Sequence, residues 1–120
     1  MSLILHIETA SKNCSVALAK SGRLLALEEI ATAHYSHAEQ LHPFIRELFE
    51  ASDFKVEQLD SVAVSKGPGS YTGLRIGVAA AKGICFALDI PLIAINTLEL
   101  MAQSHLNDKN RWLIPMLDAR

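Results

Sequence analysis

A chain of 120 residues, 50% of them hydrophobic, can bury one modest core and is too short for two ordinary domains. Its 11 basic and 13 acidic residues are spread along the whole length to a net charge of −2, so no basic stripe tracks a phosphate backbone and direct nucleic-acid binding by this chain alone is not expected. Cys14 and Cys85 lie far apart in apolar surroundings with no CxxC pairing, which suits two reduced thiols in a cytosolic core and makes a cytoplasmic location the expectation.

In chain order, Met1 to Leu5 contains no basic segment leading into a long apolar stretch, so no signal peptide is expected. Leu3 to Thr9 alternates, with Leu3, Leu5 and Ile7 on one face and Ile4, His6 and Glu8 on the other; Cys14 to Lys20 is a second β-prone run. Ser21-Gly22 is a tight-turn dipeptide and Leu24 to Ile30 follows it, giving a three-stranded antiparallel meander. The period then becomes helical: Ala38, Leu41, Phe44, Ile45, Leu48 and Phe49 oppose Glu39, Gln40, Arg46, Glu47 and Glu50. Ser36 and Glu39 form a capping box, and Pro43 inside this helix predicts a bend. Strand Ser61 to Ser65, a glycine-rich loop, a helix from Thr72 to Leu88, strand Leu92 to Ile95 and a helix from Leu98 to His105 come next. The most apolar run, Ile76 to Ile95, is broken by Lys82, Asp89 and Pro91, against a membrane span. Strands alternating with helices imply parallel crossovers, so the fold expected is α/β, a five-stranded mixed sheet with flanking helices. The polar run 107–110 reads as a hinge, and Trp112 to Leu117 as one more strand.

The loop from Lys66 to Arg75 joins a buried strand to a helix start, where free backbone N–H groups and the helix dipole favour an anion. Lys66, Gly67, Gly69, Ser70 and Arg75 are the candidates to contact it. The spacing is not a phosphate-binding lysine loop, and Gly67, Gly69 and Gly73 miss the dinucleotide GxGxxG by one residue. As a bare pattern the loop favours a structural turn.

Read whole, Gly67-Pro-Gly-Ser-Tyr-Thr-Gly-Leu-Arg-Ile-Gly-Val-Ala-Ala-Ala-Lys-Gly83 resembles the signature of the TsaB (YeaZ) family. Leu5 to Ser11 with Cys14 to Leu18 resembles that family's first hairpin, His37 with Leu41 and Pro43 its first helix, and Pro115 to Arg120 its crossing into a second domain. The resemblance implies a fold of the actin, sugar-kinase and Hsp70 (ASKHA) type. It also implies that residues 1–106 form the first of two facing domains, 107–120 being the hinge and start of the second. The implied function is that of a non-catalytic activator in the synthesis of threonylcarbamoyladenosine in tRNA. Such a subunit pairs with the catalytic paralogue TsaD, has TsaE as an ATP-hydrolysing third partner, needs no cofactor of its own and meets tRNA only through the complex.

The catalytic paralogue carries Asn-His-x-x-x-His after its fifth strand, two imidazoles on one helical face. Here Asn96 to Met101 puts Thr97 and Met101 in those places, and neither is a credible metal ligand. This disfavours a metallopeptidase-like hydrolase, and the glycine-free turn Thr9 to Asn13 disfavours a sugar-kinase-like phosphotransferase. Glu8 sits where an acid could orient metal, but reads as a strand-end carboxylate in water. His34, His37 and His42 share no single helical face and read as surface or capping residues, while Ser70 and Thr72 read as helix caps. Between Thr72 and Leu88 the only charges are Arg75 and Lys82, on one stripe, while Gly73, Gly77 and Ala81 form a second stripe of small residues suited to a close helix contact. With the resemblance, this makes Leu41, Ile45, Leu48, Gly73, Gly77, Ala81 and Ile84 the expected partner interface, either with the paralogue or with a second copy in isolation.

Overall fold

The computed structural model describes residues 2–31, 37–107, 109 and 112–118. Three strands open the chain, β1 (Leu3–Glu8), β2 (Asn13–Lys20) and β3 (Arg23–Ala31); α1 (His37–Glu50) follows them. A 3₁₀ turn at Val56–Gln58 leads into β4 (Ser61–Gly67), α2 (Tyr71–Leu88), β5 (Leu92–Asn96) and α3 (Thr97–Gln103). The strands make one sheet in the order β3-β2-β1-β4-β5, antiparallel across β1, β2 and β3 and parallel across β1, β4 and β5. This is the mixed sheet the alternation of elements implies.

The meander closes as the turn dipeptide dictates. Lys20 pairs with Arg23 across Ser21 and Gly22, whose φ values of 53° and 78° give the left-handed pair that matches strand twist. One residue of β3, Leu25, bulges where the register shifts between Leu18 and Ala19.

Period-two alternation divides the sheet. Leu3, Leu5 and Ile7 of β1, Cys14, Val16 and Leu18 of β2, and Val62 and Val64 of β4 form the buried face. Leu41, Ile45 and Leu48 of α1 and Ala80, Ala81 and Cys85 of α2 complete the core. Both cysteines are buried free thiols. The opposite face carries Ile4, His6, Glu8, Ser15 and Ala17, all half-buried, with Leu100 of α3 at its border. Helix α1 runs on through Pro43, while Ser36 and His34 lie outside the described residues.

The expected strand at Trp112 to Leu117 does not form: residues 112–118 are irregular, and Trp112 is 96% exposed. Its apolar run is strand-like, but a strand exists only when a neighbour takes up its backbone hydrogen bonds, and β3 and β5 end the sheet without it.

Candidate functional site

Every residue of β4 from Ser61 to Ser65 is buried, so the strand fixes where its loop emerges. Gly67 turns the chain at a φ of 118°, a conformation that L side chains rarely adopt. Gly69 then passes so close to the β1–β2 turn that a Cβ there would stand 2.6 Å from the Ala10 carbonyl oxygen. The Ser70 N–H donates to that same oxygen at 2.7 Å, and the Ser70 hydroxyl accepts from the Gly73 N–H at 3.2 Å, capping α2. On the other side of the turn, the Glu8 carboxylate accepts from the Ala10 N–H at 2.7 Å and from the Ser65 hydroxyl. The end of β1, the end of β4 and the start of α2 are thus fastened into one unit. Burial and the Glu8 charge together push the Cys14 thiol pKa up, and burial lowers that of His6.

Helix α2 has two unlike faces. Gly73, Gly77, Ala80, Ala81 and Cys85 are buried, with Gly77 pressed against the side chain of Thr9 at the end of β1. Thr9 is fully buried, and its hydroxyl has no hydrogen-bond partner among the described residues. The outer face presents Tyr71, 75% exposed, and Phe86, 92% exposed, with Arg75, Ala79 and Lys82 between them. The Arg75 guanidinium lies 5.3 Å from the Tyr71 ring centroid. An open groove of about 740 Å³ runs beside this face, lined by Lys66, Gly67, Gly69, Leu74 and Val78 as well as by Tyr71, Arg75 and Lys82. By length and a mean hydropathy of 1.2, α2 could cross a bilayer. Here its small-residue face is buried and its other face carries two cations.

The structure places most of the expected interface residues inside the chain's own core. Leu41, Ile45 and Leu48 are core residues under α1, and Gly73, Gly77 and Ala81 are buried against the chain's own strands; Ile84 is half-buried in the same cluster. Within the small stripe, Gly77 serves close approach to Thr9. Of the anion candidates, Lys66, Gly67, Gly69 and Arg75 come together on the groove, whereas the amide and hydroxyl of Ser70 are engaged in the turn and cap. Glu8 is not a carboxylate merely standing in water, since both its oxygens accept hydrogen bonds. Tyr71 and Phe86 were legible only from the wheel: they share the stripe of Arg75 and Lys82, which must face water.

Asn96 caps α3, its side-chain oxygen accepting from the Leu98 and Glu99 N–H groups at 2.9 and 3.2 Å. Thr97 is buried, its hydroxyl without a hydrogen-bond partner among the described residues, and Met101 is exposed, so the pair does not fit a metal that two facing imidazoles would hold. His42 is exposed, and the side chain of His37 lies outside the described residues.

Against known proteins, the family described as "TsaD: tRNA N6-adenosine threonylcarbamoyltransferase" matches residues 29–120. The tRNA threonylcarbamoyladenosine biosynthesis protein TsaB of Haemophilus influenzae is 37% identical over 101 residues, 84% of this chain and 42% of that protein. The Bacillus subtilis protein of the same name is 35% identical over 117 residues, 98% of this chain and 50% of its relative. Among solved structures, YeaZ from Pseudomonas aeruginosa superposes with a TM-score of 0.80 at 33% identity, over 91% of this chain and 50% of that one. The chain spans about half the length of the curated relatives it matches.

Proposed function

The chain belongs to the TsaB (YeaZ) family, within the wider family of the threonylcarbamoyltransferase TsaD, and from that premise we propose that it acts in threonylcarbamoyladenosine synthesis as a non-catalytic subunit. In this proposal it pairs with a TsaD-type catalytic subunit through the outer face of α2, with TsaE as a third partner, and meets tRNA only within the complex. The observation that carries the reading is that face: two exposed aromatic rings bracketing two cations on a helix whose opposite side is spent on the sheet. Aromatic and arginine side chains on an otherwise packed scaffold are the residues that dominate interface energies. A direct chemical role has less to stand on. Glu8 is committed to Ala10 and Ser65, and Thr97 and Met101 offer no ligand pair. The relatives' greater length supports the further proposal that residues 1–106 are one domain and 107–120 a crossing toward another, consistent with the exposure of Trp112, Ile114 and Met116.

A subunit of this kind works by binding one state of its partner better than another, which shifts that partner's population without bond-making of its own. Calorimetric titration of a TsaD-type subunit with this protein tests the pairing. Tyr71→Ala and Phe86→Ala are each expected to weaken it by about 2 kcal/mol with the fold intact. Affinity unchanged in both variants would place the contact elsewhere.

A further inference from the structure

We infer that the outer edge of β3 is a pairing surface for a second copy of this chain, the two β3 strands lying antiparallel so that their sheets become one. β3 ends the sheet, so alternate residues along it point an N–H and a C=O away from β2, with no strand to take them among the described residues. It contains no proline and no lysine, the usual guards of a free edge. Leu24 is 57% exposed and Leu27 47%, and Leu25 is exposed as well. Helix α1 packs against β2 and β3, whereas α2 lies mainly on β4, with β2 and β1 between that strand and this edge. The edge is thus separate from the α2 face used in the pairing proposed above.

The bulge sets the register. With Leu25 as the extra residue, Leu24 pairs with Ala19 and Leu27 with Ala17, so both leucines stand on the sheet face away from α1. Arg23, Ala26 and Glu28 pair with Lys20, Leu18 and Val16 and stand on the other face. A two-fold contact is isologous, so the residue on its axis faces its own copy. With Ala26 on the axis, Leu24 of each copy meets Leu27 of the other, and Arg23 meets Glu28, each pair on one face of the joined sheet. Apolar side chains then meet apolar ones, each cation meets an acid, and no like charges are opposed. With Leu27 on the axis, Leu24 would meet Glu29 and Arg23 would meet Ile30, which matches neither charge nor apolar surface. A strand that brings acid, leucine, alanine, leucine and cation in turn against Arg23, Leu24, Ala26, Leu27 and Glu28 is β3 itself run antiparallel, and that match decides the occupant.

The contact from Arg23 to Glu28 is small, so sedimentation of the parent protein should show a weak dimer, filled at about 1 mM and dissociated at about 10 μM. Arg23→Glu sets acid against acid across the join and Glu28→Arg sets cation against cation. Each variant alone should therefore stay monomeric at about 1 mM with an unchanged thermal midpoint. Mixed in equal amounts, the two variants bring opposite charges back to both ends of the join and should dimerise at least as well as the parent, a recovery that damage to the fold cannot imitate. Phe86→Glu, on the outer face of α2, should leave the parent's dimer intact. A parent that is monomeric at about 1 mM overturns the inference, as does a mixture of the two variants that stays monomeric. A dimer that survives Arg23→Glu and Glu28→Arg but dissolves with Phe86→Glu overturns it too, placing the second copy on α2.

Discussion

Gly77 is the position where one carbon atom decides the most. A Cβ there would overlap the Thr9 side chain, whose own Cβ would be only 3.2 Å away, and both residues are buried with nowhere to move. Gly77→Ala should therefore cost about 1–3 kcal/mol, and Thr9→Ala in the same chain should recover part of it; urea midpoints at constant slope measure both. At the other end of α2, Asp89 caps the helix with a φ of 52°, a left-handed conformation that glycine adopts without strain. Asp89→Gly should stabilise the fold by about 1 kcal/mol, read as a raised thermal midpoint. His6 supplies the pH dependence. Burial lowers its pKa in the folded state below the ordinary 6.5, so the unfolded chain binds the proton first. Stability is thus complete above that ordinary value and falls as pH drops through it toward the folded-state pKa. His6→Gln should flatten the loss of stability between about pH 7.5 and about pH 5.5, seen as converging urea midpoints for the variant.

At the scale of the element, α2 shows what sequence can and cannot assign. Residues two apart on a helix differ by 200°, so Gly73 and Gly77 must lie on the side opposite Arg75 and Lys82, seven residues apart on one stripe. That much was legible. What lay against the small stripe was not, because a strand end and a second helix make the same demand for a surface without side chains. The contrast between two substitutions on this helix separates the sides. Ala81→Glu places an unpaired carboxylate at a fully buried site and should destabilise the fold by about 3–5 kcal/mol. Phe86→Glu alters a residue that is almost wholly exposed and should leave the thermal midpoint within about 1 °C while abolishing partner binding. Circular dichroism melts alongside the titration report the two effects independently. The strands, by comparison, were almost fully readable, since alternation and the Ser21-Gly22 turn set both faces and register. The tie between Ser65 and Glu8, 57 residues apart, was not, because no local pattern announces a side-chain bond across parallel strands.

For the molecule as a whole, the sheet, its two covering helices and the fastened turn form a rigid mount that presents one aromatic and cationic face outward. The same mount in the catalytic paralogue would need paired imidazoles near Thr97 and Met101, and this chain has a buried hydroxyl and an exposed thioether there. Trp112 to Leu117 was misread because an apolar run permits a strand but pairing is what makes one, and pairing depends on neighbours the run cannot supply. The central claim, a subunit that activates by binding and does no chemistry, is tested most directly by reconstituted threonylcarbamoyl transfer to tRNA. The rate is measured with a TsaD-type subunit, its other components and increasing amounts of this protein or of its Phe86→Glu and Thr97→Ala variants. The account predicts that transfer requires this protein, saturates with the fraction of catalytic subunit bound, disappears with Phe86→Glu and survives Thr97→Ala nearly unchanged. Full transfer without this protein, or transfer lost in Thr97→Ala while binding stays normal, would contradict it.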